Sequence, residues 1–353
     1  MRRTFSSLIP ALLFANSSLA QDVQIGVLGL FHPQQITLRA SRDTLIVHAA
    51  EKTFVLEPGQ RTGSAEISVT EGSLVLHVAG RITQVLEIIA TGRDGGRASF
   101  TLTVQGKMSR SYRGRLVVKA ENGEVVPVVM MDLETAVGSV VQAESAPGTP
   151  LEALDAQAVV TRSYFVAGRG RHHNFDFCDL THCQFLREPP NPNSPVAQAV
   201  LATEGLVIAF QEKPVAAMYT RSCGGRTRTP AELGFPVNGY PYFAVVCDYC
   251  YKNPSRWTRP ISPEEAALLS RNSEAGRLAV DRQLGWNAVP GNSYTMQTVN
   301  GEVVLEGAGQ GHGIGLCQRG AKAMAENGAN YREIIAHYFP NTLLENMNKA
   351  FNH

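Results

Sequence analysis

Between residues 22 and 105 apolar and polar side chains alternate with a period of two. The runs "VQIGVLGL", "QITLRA", "TLIVHA", "AEISV", "SLVLHV", "VLEIIA" and "ASFTLTV" are rich in β-branched residues, and turns such as "EPGQRTG" and "GRDGG" separate them. Successive side chains on a strand point to opposite faces, so this pattern predicts strands with one buried face. Residues 111–130 continue as a hairpin turning at Glu121-Asn122-Gly123, since Asn-Gly supplies the positive φ of a tight turn.

The period changes near residue 131. Leu133, Val137, Val140 and Val141 fall on one stripe of a helix. "SAPGTP" then breaks the chain. Thr149 with Glu152 predicts a capping box, Pro150 takes the first helical position, and the helix "LEALDAQAVVTRSYFVAG" ends at Gly168. A short helix near 195–202, a second strand region at 205–219 and a helix opened by Ser262, Pro263 and Glu265 follow. A strand at 302–306, a helix from about Leu316 to Gly328 and a last helix from Asn330 to Pro340 complete the pattern. The order predicts an α+β fold, with a β-rich N-terminal region at 22–105 and a mixed α/β core at 109–345.

With 44% hydrophobic residues in 353, the chain is globular rather than disordered. Its formal charge of +1 leaves no electrostatic footprint for nucleic acid. Residues 1–20, "MRRTFSSLIPALLFANSSLA", carry two arginines, a short apolar run and the small-residue site Ser18-Leu19-Ala20, the pattern of a secretory signal peptide. Its removal leaves a formal charge of −1. No later segment is apolar for long enough to form a membrane helix. The mature protein is therefore expected to be exported, periplasmic or extracellular, where disulfides are permitted.

Three groups of residues carry candidate chemistry. Glu144 continues the stripe of Val137 at the end of its helix, so its carboxylate either faces a desolvated cleft, as a general acid requires, or reaches around the helix end to solvent. "RHHNFDFCDLTHCQ" brings Cys178, His182 and Cys183 within six residues, below His172 and His173. Two thiolates and two imidazoles form a structural zinc set; a Cys178–Cys183 disulfide is the alternative. His173 rivals His172 for the first place, and Asp176 and Asp179 are substitute ligands. The glycine-rich loops "SCGGRT" (222–227) and "GAGQGHGIGLCQRGA" (307–321) allow close backbone approach or serve tight turns alone; their spacing is not a dinucleotide fingerprint. Ser222, His312 and Gln318 are the polar groups there that could face a ligand. The remaining cysteines, Cys223, Cys247, Cys250 and Cys317, could bind a second metal or form two disulfides.

Five stretches, "YRGRLVV", "VGSVVQAESAPGTPLEALDAQAVVTRSY", "DFCDLTHCQ", "TEGLVI…SCGGRT" and "GQGHGIGLCQRGAKAMA…YREIIAHYFPNT", occur in the order found in the SpoIID/LytB family, which the chain resembles over roughly residues 111–342. The resemblance implies a peptidoglycan-active protein with a wide substrate cleft. Sporulation members are lytic transglycosylases that cut peptide-free glycan strands at the N-acetylmuramic acid–N-acetylglucosamine bond, leaving 1,6-anhydro ends. Their catalytic Glu corresponds here to Glu144, followed by Ser145-Ala146-Pro147 where the family usually has Met-Pro. Zinc-bearing members supply His, Cys, His and Cys, which map to His172, Cys178, His182 and Cys183, in the loop at 169–194. Ser222, His312 and Gln318 would bind sugar or position Glu144, and Gln157 and Arg162 would brace the helix. Amidase-enhancer members bind the wall and stimulate a cell-wall amidase, which gives a non-catalytic alternative.

Overall fold

The computed structural model describes residues 22–60, 62–180, 183–235, 244–269, 274–285, 287–300 and 302–347. The leader expected at 1–20 and the candidate ligand His182 lie outside them. The described residues open with nine strands: β1 (Asp22–Gly26), β2 (Gln35–Ala40), β3 (Leu45–Ala49), β4 (Lys52–Leu56), β5 (Ser64–Thr70), β6 (Ser73–Val78), β7 (Arg81–Val85), β8 (Glu87–Thr91) and β9 (Ala98–Val104). The sequence pattern misses β4 and β7 because each buries few apolar side chains; β4 hides only Phe54 and Leu56, and β7 leaves Ile82 exposed.

Two long strands follow, β10 (Met108–Glu121) and β11 (Glu124–Asp132). They turn at Asn122 and Gly123, both at positive φ, as the Asn-Gly pair predicts. β10 is the hinge of the sheet. Its first half pairs with β9 and its second half with β11 and β8. A strand shared between two sets of partners lets the twelve-stranded sheet curl around a core. Residues 22–104 and the 108–132 hairpin share that sheet and one hydrophobic cluster.

The chain then becomes mainly helical. Asp132 accepts the Thr135 backbone N–H at 2.9 Å and starts α1 (Leu133–Glu144). The stripe of Leu133, Val137, Val140 and Val141 is buried, as its spacing predicts. α2 (Leu151–Ala167) is buried continuously from Ala153 to Phe165, which its apolar residues on every face require. It lies between two cores: Leu154, Ala158 and Phe165 face the sheet's cluster, and Ala156, Val159 and Val160 face a second one. The expected capping box does not form. Thr149 donates to the Ala146 carbonyl at 2.7 Å, and Glu152 accepts the backbone N–H of Tyr331 at 2.7 Å. The turn before the helix and the docking of the C-terminal helix claim the two side chains first.

β12 (Phe177–Cys178) adds to β1 in parallel, so the loop at 169–194 is tied to the sheet edge. α3 (Pro195–Ala202), β13 (Leu206–Phe210), β14 (Lys213–Pro214), β15 (Tyr219–Thr220) and α4 (Asp248–Lys252) follow. A small lobe contains β16 (Arg256–Ile261), α5 (Pro263–Leu269), α6 (Glu274–Leu284), β17 (Tyr294–Val299) and β18 (Glu302–Ala308), with its own apolar cluster. The predicted Ser262–Glu265 capping box is present there, with bonds of 2.8 and 3.2 Å. β19 (Leu316–Cys317), α7 (Gln318–Glu326), α8 (Tyr331–Tyr338) and β20 (Leu343–Asn346) end the described chain. β15 and β19 pair in parallel and bring residues 219–222 beside 310–318.

The alternating glycines of 307–315 serve that approach. Gly315, at φ 73, has no room for a Cβ because the Met218 carbonyl occupies the space. Ser222 and Gln310 exchange backbone hydrogen bonds at 3.1 and 2.7 Å.

Candidate active site

A cavity of about 310 Å³ opens where α1 ends. Glu144, Gln157, Arg221, Tyr249, Gln318 and Arg319 line it, drawn from α1, α2, the loop after β15, α4 and α7. Burial pushes the Glu144 carboxyl up to about 6. The Tyr219 hydroxyl, the Phe185 backbone N–H and the charges of Arg221 and Arg187 oppose that rise. The helix stripe thus places Glu144 partly out of water but within reach of donors. Glu326, a second carboxylate on the wall, pairs with Lys322 at 3.7 Å. Neither Glu134 nor Asp155 lines the cavity.

Of the three polar residues expected from the glycine-rich loops, Gln318 reaches the cavity. Its amide donates to the Glu144 carbonyl and to Gln157 Oε1, both at 3.3 Å, and fixes the end of α1. His312 stands one step back. Its Nδ1 accepts the Ile314 backbone N–H at 3.0 Å, and its ring also bonds the backbone of Tyr219. Burial pushes its pKa below the usual imidazole range. His312 therefore reaches Glu144 through Tyr219. Ser222 is buried away from the cavity lining, with its Oγ 3.5 Å from Cys250 Sγ.

Arg162 braces α2 as expected. It is wholly buried and grips Glu134 with two bonds, at 2.8 and 2.7 Å, while donating to the carbonyls of Leu206 and Val200. No motif in the sequence marks Tyr219, Arg221, Phe185 or Arg187. A weak signal exists for Tyr219, which precedes Thr220 in a strand and so projects to the opposite face from it.

In the 169–194 loop, His172, Cys178 and Cys183 stand together, with ligating atoms all within 4.8 Å of one another. His172 Nε2 lies 3.3 Å from Cys183 Sγ. The Cys183 thiol is pushed down to about 7, chiefly by its hydrogen bond with Cys178, against burial and with help from Arg171. Such donors suit a thiophilic metal ion. His173 instead bonds Asn174 at 2.7 Å. Asp176 accepts the Gln24 N–H and Asp179 the Leu28 N–H and Arg110, so neither carboxylate belongs to the set. Phe185, which touches Glu144, follows Cys183 by two residues.

Residues 121–210 match the family model described as stage II sporulation protein, SpoIID. Over those residues the chain is similar to the SpoIID family. Over 172 residues it is 24% identical to stage II sporulation protein D of Bacillus amyloliquefaciens, covering 41% of this chain and 49% of that one. A stretch of 50 residues is 44% identical to the amidase enhancer of Bacillus subtilis, covering 14% of this chain and 7% of that protein. An uncharacterized protein of Brachyspira hyodysenteriae is 28% identical over 261 residues, covering 65% and 70%. The chain thus spans less than half the length of the two Bacillus proteins. The SpoIID match contains Glu144, Gln157 and the three loop donors; Gln318 and the cavity's far wall lie beyond it. Among the described residues no helix is long and apolar enough to cross a membrane.

Proposed function

We propose that this protein is a peptidoglycan lytic transglycosylase with Glu144 as its single acid and base. The observation that carries this reading is a carboxyl group raised to about 6 by burial, on the wall of a cavity at the end of α1; the resemblance implies the same position for the catalytic residue of the sporulation members. Protonated Glu144 gives its proton to the oxygen of the bond after N-acetylmuramic acid, and that bond breaks. The resulting carboxylate takes the proton of the same sugar's 6-hydroxyl, whose oxygen closes onto the anomeric carbon. The acid is regenerated and a 1,6-anhydro end is left. The nucleophile belongs to the substrate, so no second carboxylate is needed, which fits a wall whose other acid is paired with Lys322.

The rest of the cavity supports the substrate class. Peptide-free glycan carries a lactyl carboxylate on each muramic acid, and Arg221 and Arg319 are placed to meet it. Tyr249 offers an aromatic face for a sugar ring, with Arg319 stacked 5.3 Å away. Zinc held by His172, Cys178 and Cys183, with His182 as fourth ligand from the sequence, would be structural. It would fix the loop that brings Phe185 and Arg187 to Glu144. An exported, extracytoplasmic protein of this kind meets its polymer directly.

Because the reactive form is the protonated acid, kcat/KM on denuded glycan is expected to fall about tenfold per pH unit above pH 6. Tyr219→Phe removes a donor that favours the carboxylate, so the alkaline limb should move to higher pH. A limb unchanged by this substitution would contradict the contact's role.

The likeness to an amidase enhancer and the Ser145-Ala146-Pro147 turn after Glu144 favour a second reading, a wall-binding protein that stimulates an amidase. Assaying turnover without any amidase separates the two.

A further inference from the structure

We propose that Cys223, Cys247, Cys250 and Cys317 bind a zinc ion as a structural tetrathiolate site that clamps the far wall of the Glu144 cavity. All four are buried, and their sulfurs lie within 4.8 Å of one another. Cys250 Sγ and Cys317 Sγ are 3.6 Å apart. A zinc tetrahedron with Zn–S near 2.3 Å has sulfur–sulfur edges of about 3.8 Å, whereas a disulfide brings two sulfurs to about 2.05 Å.

The surroundings suit thiolates. The Cys223 backbone N–H points at Cys317 Sγ at 3.4 Å, Ser222 Oγ lies 3.5 Å from Cys250 Sγ, and Tyr338 Oη lies 3.4 Å from Cys247 Sγ. Donors aimed at ligating sulfurs are how a protein supports a metal's outer shell. Binding one Zn²⁺ releases four thiol protons and leaves a net charge of −2 in the core. Arg319 is close enough to Cys250 and Cys317 to couple to that charge. Gly320 keeps the space clear: a Cβ there would lie 2.5 Å from Cys247 Sγ and collide with the Tyr338 hydroxyl.

The four ligands come from separate pieces of backbone. Cys223 follows β15, Cys247 and Cys250 open α4, and Cys317 ends β19 just before α7. Those pieces also present Arg221, Tyr249, Gln318 and Arg319 to the cavity. One ion at their junction would tie together the separate segments that carry these four wall residues. It would also keep four thiols from pairing in an oxidising compartment. The assignment is independent of the chemistry given to Glu144.

The test is zinc content, by native mass spectrometry and elemental analysis, of the full chain carrying Cys178→Ala and Cys183→Ala, which removes both thiolates of the other candidate set. One zinc per chain is expected, and none overturns the proposal. Should that variant fail to fold, the unaltered chain is unfolded with chelator and alkylating agent, without reductant. Alkylation of Cys223, Cys247, Cys250 and Cys317 is expected. A disulfide among them overturns the site.

Discussion

Glu144→Gln should abolish release of 1,6-anhydro products from denuded glycan while leaving the fold intact. The amide matches the carboxyl in shape and can still accept the Phe185 N–H, and a half-buried group loses little by losing its charge. What it cannot do is deliver a proton and take one back. General acid–base catalysis typically contributes about 10²–10⁴-fold, and the loss should be at the upper end because one residue serves both half-reactions. Circular dichroism and the thermal midpoint check the fold, and chromatography of digested strands checks the product. Substrate binding should survive, since Arg221, Tyr249, Gln318 and Arg319 are untouched. Normal product release from this variant would remove Glu144 from the mechanism.

Arg162→Ala should be among the most damaging single changes to stability, at about 2–4 kcal/mol, because it empties a fully buried site and takes charged donors from a partly exposed carboxylate and two carbonyls. Arg162 is fully enclosed, with Glu134 on one side and the carbonyls of Leu206 and Val200 on the other. Its removal strands a carboxylate, two carbonyls and a cavity at the junction of α1, α2, α3 and β13. Domains are stable by only about 5–15 kcal/mol, so the urea midpoint should fall by a large fraction. Pairing Arg162→Met with Glu134→Leu should recover part of the loss, because an apolar pair leaves no buried charge; the two carbonyls remain unsatisfied. A midpoint unchanged by Arg162→Ala would show that the brace contributes nothing.

Much of the fold could be read from the chain because local periodicity and burial agree. The period-two runs became strands of one curled sheet, and the Leu133–Val141 stripe placed Glu144 where a cavity opens. The hairpin at Asn122-Gly123 and the caps at Ser262 and Asn330 formed for the reasons their residues suggest. What was hidden depends on contacts between distant segments. Thr149 and Glu152 fit the capping-box pattern, yet the turn at Ala146 and the backbone of Tyr331 took them. Tyr219 gains its place at Glu144 from a two-residue strand paired with β19, nearly a hundred residues on. The same pairing sets Thr220 opposite Cys317 and so gathers four cysteines. Cys247 and Cys250 are spaced C-x2-C, which suits a metal, but spacing alone assigns neither partner. Ser222 illustrates the limit, since its place in a glycine-rich loop suggests a ligand contact and its side chain lies at Cys250 instead.

With Glu144 acting as proposed, the chain cuts glycan by itself and without water as nucleophile. Mass spectrometry of products from denuded strands, incubated with the purified chain and no amidase, tests it most directly. New muramic acid ends one water lighter than ordinary reducing ends are the predicted result. Reducing ends of full mass, or strands left uncut, would contradict it.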